Sequence, residues 1–305
     1  MKPGAVSMAT RAFTPVVCRS MNRWVAGARP RTLPVSVVPV LVGTAVGSAE
    51  GTVIWWRAAA ALVVSLGIQV GTTYANDYSD GVRGTDTVRV GPVRLVASGL
   101  ANPQEVERAA VVAFAVAAAA GLALAIAVSP VLIAVGAVCI LAGWLYTGGP
   151  RPYGYAGLGE VFVFVFFGLV ATVGSAYVQL ERVTGLAVLA AIPVGFLAVA
   201  LLVVNNLRDL AGDAAVGKRT LAVRLGAKAT RRFYTGCVTI PYPFVAAIAV
   251  ARPWALIAFA SLPLAVRLAR RVMAGESGRG LVEVLGATGR LQLVFGVLLA
   301  LGIAL

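Results

Sequence analysis

Two short acidic clusters break an otherwise apolar chain, each placed where a membrane-length apolar run ends. The first runs Asn-Asp-Tyr-Ser-Asp-Gly-Val-Arg-Gly-Thr-Asp from Asn76 to Asp86, and the second Asn-Asn-Leu-Arg-Asp-Leu-Ala-Gly-Asp from Asn205 to Asp213. Together they hold five of the 12 carboxylates among 305 residues. A carboxylate beside a bilayer is costly unless it is paired, hydrated or bound to a cation. Carboxylate and amide oxygens, in a chain with no histidine, suit a hard cation such as Mg²⁺. Two such clusters facing one cavity would make a diphosphate-metal site.

The spacing sorts the donors. Asn76 and Asp80 are one helical turn apart and share a face, and Asp77 stands three residues before Asp80. Gly81 and Gly84 let the chain turn so that Asp86 comes back toward the same space. Asn205, Asp209 and Asp213 step by four along a single stripe. Each stripe supplies two or three oxygens, and water or substrate phosphate completes the octahedron. For either cluster alone, helix capping and solvated loop charge are the competing accounts. A diphosphate also needs cations: Lys218 and Arg94 are expected to supply them, with Arg151 in the central loop as a further donor. Tyr146 and Tyr74 are placed to turn a π face toward a carbocation, with interfacial belt or packing as the alternative.

The elements that must hold these groups are membrane helices. Hydrophobic residues make up 59% of the chain and charged ones 12%, and mean hydropathy is +0.89, which excludes an ordinary soluble globule. Cys18, Cys139 and Cys237 have spacings that suit neither zinc nor a disulfide framework. Residues 1–23 are expected to be a disordered cytoplasmic extension, and residues 24–305 one transmembrane domain. Nine spans are expected: Leu33–Ala49, Ile54–Ala75, Ala109–Val128, Val131–Tyr146, Val161–Val178, Leu186–Val204, Phe233–Val250, Trp254–Val272 and Thr288–Leu305. With the N-terminus cytoplasmic, 23 of the 26 Lys and Arg fall on that side, and only Arg57, Arg182 and Arg252 on the other. That asymmetry accounts for the net charge of +14 without a nucleic-acid partner, and it places both acidic clusters at the cytoplasmic face of a cell membrane.

These residues resemble the UbiA superfamily of intramembrane prenyltransferases. Asn76-Asp77-x-x-Asp80, extended to Asp86, is similar to that family's first aspartate motif, and Asp209-x-x-x-Asp213 to its second, with Lys218-Arg219-Thr220-Leu221-Ala222-Val223 resembling the usual sequel. The resemblance covers nearly the whole chain beyond residue 24 and implies an all-α, nine-helix transmembrane bundle of UbiA type. Ala28-Arg29-Pro30-Arg31-Thr32-Leu33-Pro34, Gly91-Pro92-Val93-Arg94 with Ala97-Ser98-Gly99, and Tyr146-Thr147-Gly148-Gly149-Pro150-Arg151-Pro152 leading to Gly157-Leu158-Gly159-Glu160 resemble the branch that prenylates 1,4-dihydroxy-2-naphthoate for menaquinone. Many other members carry a lysine in the central loop, where the basic residue here is Arg151.

The reaction so implied is Mg²⁺-dependent transfer of a polyprenyl group from polyprenyl diphosphate, with Asp80, Asp209 and Asp213 at its centre and loss of carbon dioxide from the acceptor. No dedicated general base stands out. Glu160 is a possible contributor, though a charge at a helix N-terminus is its simpler reading. The rivals are a family member with another acceptor and a cation or isoprenoid-diphosphate transporter, whose site would lie nearer the bilayer midplane.

Overall fold

The computed structural model describes residues 22–85 and 93–305. Among them every regular element is helical: α1 (Arg23–Gly27), α2 (Pro34–Glu50), α3 (Trp55–Val82), α4 (Pro103–Ala127), α5 (Val131–Leu145), α6 (Gly159–Leu180), α7 (Gly185–Ala215), α8 (Leu221–Thr239), α9 (Pro241–Ala249), α10 (Leu262–Met273) and α11 (Gly278–Ala304). Short 3-10 turns lie at Pro30–Thr32, Tyr153–Ala156 and Pro253–Ser261, and residues Phe164–Val170 of α6 widen into a π-helix.

Five helices (α3, α4, α6, α7 and α11) are long and apolar enough to cross a membrane, and α1 with α2, bent by 55°, makes a sixth if the pair is one span. Val131–Leu145 is shorter. The expected single spans Phe233–Val250 and Trp254–Val272 are each divided. Pro241, with no N–H to donate, opens α9 directly after α8, and Pro253 and Pro263 start the two pieces of the other. Outward-facing side chains such as Val112, Ile126, Val138 and Leu141 are exposed and apolar, as lipid-facing positions require.

The starts of α4, α7 and α8 are written into their caps. Thr184 accepts from Ala187 N–H at the head of α7, and Thr220 from Val223 N–H at the head of α8. Asn102 and Glu105 form a reciprocal capping box on α4. Helix α7 is the axis of the bundle: Ala190, Val194, Leu197, Ala198, Val199, Val203 and Val204 are all buried in the main core. It meets α6 at a glycine crossing. A Cβ on Gly168 would lie 2.6 Å from Gly195 Cα, so only glycine lets the backbones approach this closely. Helix α3 packs on α4 and α5 in a second cluster that includes Tyr74, Leu95 and Phe114. Both long helices continue as helix past their apolar stretches, so Asn76, Asp77 and Asp80 ride on the end of α3 and Asn205 to Asp213 on the end of α7.

Candidate active site

A cavity of about 320 Å³ lies between α3 and α7. At one end it is lined by Asn76, Asp80, Arg94, Asn205, Asn206, Asp209, Asp213 and Lys218. At the other it is lined by Val40, Ala61, Leu124, Leu132 and Val178. Along α3 the polar end at Asp80 and the apolar end at Ala61 are separated by about 28 Å of helix at 1.5 Å per residue. Tyr146, Tyr153, Phe162 and Phe166 line the wall, with Tyr153 stacked on Phe162 at 3.9 Å between centroids.

Asp80 is the electrostatic hub. It is 3% exposed, with Lys218 Nζ at 3.1 Å and Arg94 Nη2 at 3.7 Å from its Oδ2. The Tyr155 hydroxyl donates to its Oδ1. The Tyr155 ring lies beneath Lys218 Nζ, 4.7 Å from the centroid, and beside the Arg83 guanidinium at 5.5 Å. Burial, reinforced by the Asp80 carboxylate, pushes the Tyr155 phenol above its ordinary value, so it remains a donor. The loop holding Tyr155 is tied to the second motif's sequel by Arg219 N–H donating to Tyr155 O at 3.0 Å. Gly157, at φ 75°, turns that loop where a side chain would strike Arg224.

Around Asn76, Thr147 Oγ1 donates to Oδ1 at 2.6 Å. Arg83 binds the carbonyls of Thr147 and Gly149, fastening the central loop to the end of α3. On α7, Arg208 grips Asp209 with two bonds of 2.7 Å, from Nε and Nη2, and its Nη2 also reaches Asn205 Oδ1 at 2.9 Å. Lys218 is only 6% exposed, and its amide donates to Asp213 O at 2.8 Å, so the chain folds back from α7 to aim the ammonium at Asp80.

The structure thus gathers Asn76, Asp80, Arg94, Tyr146, Asn205, Asp209, Asp213 and Lys218 around one cavity. Three expected members stand elsewhere, and Asp86 lies outside the described residues. Asp77, expected as an ion ligand, is fully buried on another face of α3, its oxygens accepting the N–H groups of Leu95 at 2.8 Å and Val96 at 3.3 Å. Three residues along a helix is 300° of rotation, so on a straight helix Asp77 and Asp80 need not share a view. Tyr74, expected near a carbocation, packs edge-on against Trp24 at 5.9 Å and donates its hydroxyl to Trp24 O at 2.7 Å. Arg151 is exposed and is not among the residues lining the cavity; it stands two residues beyond Gly149, whose φ is 74°. The sequence assigned no site role to Tyr155, which reads there as an interfacial aromatic, or to Arg208, Asn206 and Thr147. A buried arginine inside an acidic motif was the available signal for Arg208; nothing local distinguishes Tyr155 from the neighbouring aromatics.

Among the described residues no three His, Cys, Asp or Glu side chains converge as a metal cage. Carboxylates and amide oxygens from two helices instead face each other across the cavity. That donor set fits Mg²⁺, which keeps its waters and takes one or two carboxylates together with substrate phosphate.

An all-helical bundle round a cavity that is charged at one end and apolar over the rest is built to handle an anionic headgroup on a long apolar tail. The chain belongs to the UbiA prenyltransferase family, whose model matches residues 36–280. It is 48% identical to the 1,4-dihydroxy-2-naphthoate octaprenyltransferase of Mycobacterium tuberculosis over 92% of this chain and 96% of that one. It is 34% identical to the Escherichia coli enzyme of the same name, over 92% and 95%. Its fold matches a UbiA homolog from Archaeoglobus fulgidus bound to DMAPP and Mg²⁺, with TM-score 0.61 and 16% identity over 91% of this chain and 99% of that one. The apo UbiA homolog from Aeropyrum pernix K1 matches at TM-score 0.63 and 16% identity, over 92% and 99%.

Proposed function

We propose that the protein transfers a polyprenyl group from polyprenyl diphosphate to 1,4-dihydroxy-2-naphthoate, releasing diphosphate and carbon dioxide and giving demethylmenaquinol, the reduced form of demethylmenaquinone. The observation that carries this reading is the cavity itself, charged around Asp80 and Asp209 and apolar as far as Ala61, in a chain closely related over most of its length to enzymes of that name.

In this reading Asn76, Asp80, Asn205, Asp209 and Asp213 hold Mg²⁺. Bound with the diphosphate, the ion supplies charge that favours departure of the leaving group. Lys218 and Arg94, converging on Asp80, hold the diphosphate oxygens and neutralise charge as the allylic C–O bond breaks, its electron pair leaving with the diphosphate. The apolar channel receives the prenyl tail and keeps water from the carbocation. Tyr146 presents its π face beside the reacting carbon. The electron-rich diol ring attacks that carbon, and its carboxylate leaves as carbon dioxide.

The finer topology belongs to the same proposal. The chain crosses the cell membrane nine times, with the divided segments 233–250 and 254–272 each completing one crossing, and the N-terminus and active site face the cytoplasm. Two of the three charges assigned to the other side support this. Arg57 binds Glu181 at 2.9 Å and Val178 O at 3.0 Å, and Arg252 binds Ala49 O, all at the end of the bundle remote from Asp80. Residues 1–23 precede the membrane domain as a cytoplasmic extension.

The test uses purified protein in detergent with labelled polyprenyl diphosphate and 1,4-dihydroxy-2-naphthoate, with Mg²⁺ and with EDTA. Metal-dependent formation of a prenylated, decarboxylated quinol is expected. Transfer only to another aromatic acceptor would overturn the choice of acceptor. Translocation of label across vesicles without its consumption would overturn the enzyme reading altogether.

A further inference from the structure

Glu160 stands in the first turn of α6 and is 4% exposed. Its Oε1 accepts from Asn206 Nδ2 at 3.0 Å, while its buried Oε2 has no hydrogen-bond partner among the described residues. A carboxylate so placed costs free energy. A favourable charge at a helix N-terminus offsets part of that cost, but it does not explain why the group's side-chain partner is a neutral amide on another helix.

Asn206 supplies the explanation. It sits on α7 three residues before Asp209, and it lines the cavity that Glu160 itself does not reach. A carboxylate offers only acceptors, so the planar Asn206 amide must turn its NH₂ toward Glu160, and its carbonyl oxygen is then directed away from Glu160. Tyr146 closes the same corner: its hydroxyl comes within 3.3 Å of the place a Cβ on Gly159 would take. Tyr146 and Asn206 both line the cavity, and with its NH₂ held by Glu160 the group Asn206 has left to offer a flat ring bound there is its carbonyl oxygen.

We infer that Glu160 is a positioning residue, holding Asn206 so that its Oδ1 accepts the hydroxyl hydrogen of the aromatic acceptor. The inference rests on the acceptor reading given above and deepens it. A hydroxyl that donates to Oδ1 leaves more electron density on the ring that must attack, and an acceptor with an ether at that position has nothing to donate. The ligand chemistry recognised here is a phenolic hydroxyl, separate from the diphosphate chemistry around Asp80.

The experiment compares Glu160→Gln, Glu160→Leu, Asn206→Ala and the Glu160→Leu/Asn206→Ala double variant, each checked for monodisperse elution in detergent. KM is measured separately for the naphthoate and for polyprenyl diphosphate. Glu160→Gln keeps an acceptor for the Asn206 NH₂ and is expected to stay within about threefold of wild type, a change of under 1 kcal/mol. Glu160→Leu should raise the naphthoate KM about tenfold or more, as loss of one hydrogen bond to a buried group implies, with the polyprenyl diphosphate KM unchanged. The double variant should be no worse than Asn206→Ala alone. An equal collapse of kcat in Glu160→Gln and Glu160→Leu at unchanged naphthoate KM would overturn the inference and make Glu160 a proton-transfer group. A parallel rise of both KM values would overturn it in favour of a purely structural role. Wild-type protein that prenylates a different phenol would sink the choice of naphthoate alone, and the same split is then expected with that phenol.

Discussion

Lys218 Nζ lies 3.1 Å from Asp80 Oδ2, joining the end of α3 to the chain that leaves α7. Both side chains are more than nine-tenths buried, so neither charge is tolerable alone. The pair shares its ground with the Tyr155 hydroxyl and the Arg94 guanidinium, which makes Asp80 the point where four separate segments meet. Lys218→Met should lower kcat/KM by about 10² to 10³, the usual effect of removing one donor from a preorganised charge-stabilising site. Lys218→Arg should recover only part of it, because a planar fork does not replace a compact ammonium. Steady-state kinetics on both variants, with detergent gel filtration as the folding control, decides the point. Near-normal turnover in Lys218→Met would remove it from the diphosphate site.

Asp77 does its work at a distance. Its carboxylate holds the amides of Leu95 and Val96, and the residue just before them is Arg94, which lines the cavity. Asp77→Asn retains one accepting oxygen and should raise the KM for polyprenyl diphosphate about tenfold, as loss of a charge-assisted hydrogen bond predicts. The Mg²⁺ concentration for half-maximal rate should stay unchanged. A shift in that concentration with an unaltered substrate KM would restore Asp77 as an ion ligand.

Arg208 is 1% exposed at its side chain and doubly bonded to Asp209. Arg208→Met leaves a buried carboxylate without that partner, and breaking such a pair costs about 3–5 kcal/mol. A clear fall in Tm in detergent is expected, partly restored in Arg208→Met/Asp209→Asn, since the two changes are coupled. Equal Tm in wild type and Arg208→Met would show that the pair contributes nothing to stability.

The pH response of Tyr155 has a definite sign. Burial and the Asp80 carboxylate raise its phenol above the ordinary value near 10. Its contribution to stability is therefore complete below about pH 10 and is lost as pH rises through the folded-state value. Between about pH 7 and 9 wild type and Tyr155→Phe should show parallel pH–rate profiles, with the variant lower throughout by about threefold to tenfold for one lost hydrogen bond. An alkaline limb in that range present in wild type and absent in Tyr155→Phe would contradict the raised value.

Much of this site was legible in the sequence because its signals were local. Asn76 with Asp80, and Asn205 with Asp209 and Asp213, repeat at helical spacing, and a helix turns equal spacing into a shared face. Lys218 and Arg94 followed from their places in motifs. What stayed hidden was set by loops. Whether Arg151 faces in or out is set by the path of its loop, which local spacing does not specify, and Tyr155 reaches Asp80 only because a loop closes across 75 positions of sequence. Asp77 was misplaced for a third reason. Three-residue spacing permits a common face without requiring it, and the backbone amides that claim Asp77 are 18 and 19 positions away. The divided segments 233–250 and 254–272 carried their signal openly in Pro241, Pro253 and Pro263, but hydropathy averaging passes over a proline that sits in an apolar run.

The apolar end of the cavity predicts control of tail length. Ala61 is 9% exposed and clusters with Val40, Leu124 and Val178 at the channel's far end, about 28 Å of α3 from Asp80. A prenyl tail whose diphosphate is held at Asp80 must run toward this cluster, and every added isoprene unit must find space among these side chains. Ala61→Phe fills that space without touching the charged end. The variant should keep its turnover with short polyprenyl diphosphates and lose about tenfold or more in kcat/KM with long ones, because overpacking a close-packed site costs about 1–3 kcal/mol. Competition between a short and a long labelled diphosphate measures the ratio in a single tube. An unchanged ratio would mean that the tail leaves the bundle before reaching Ala61, and that the lipid around α4 and α5, not the channel floor, receives its end.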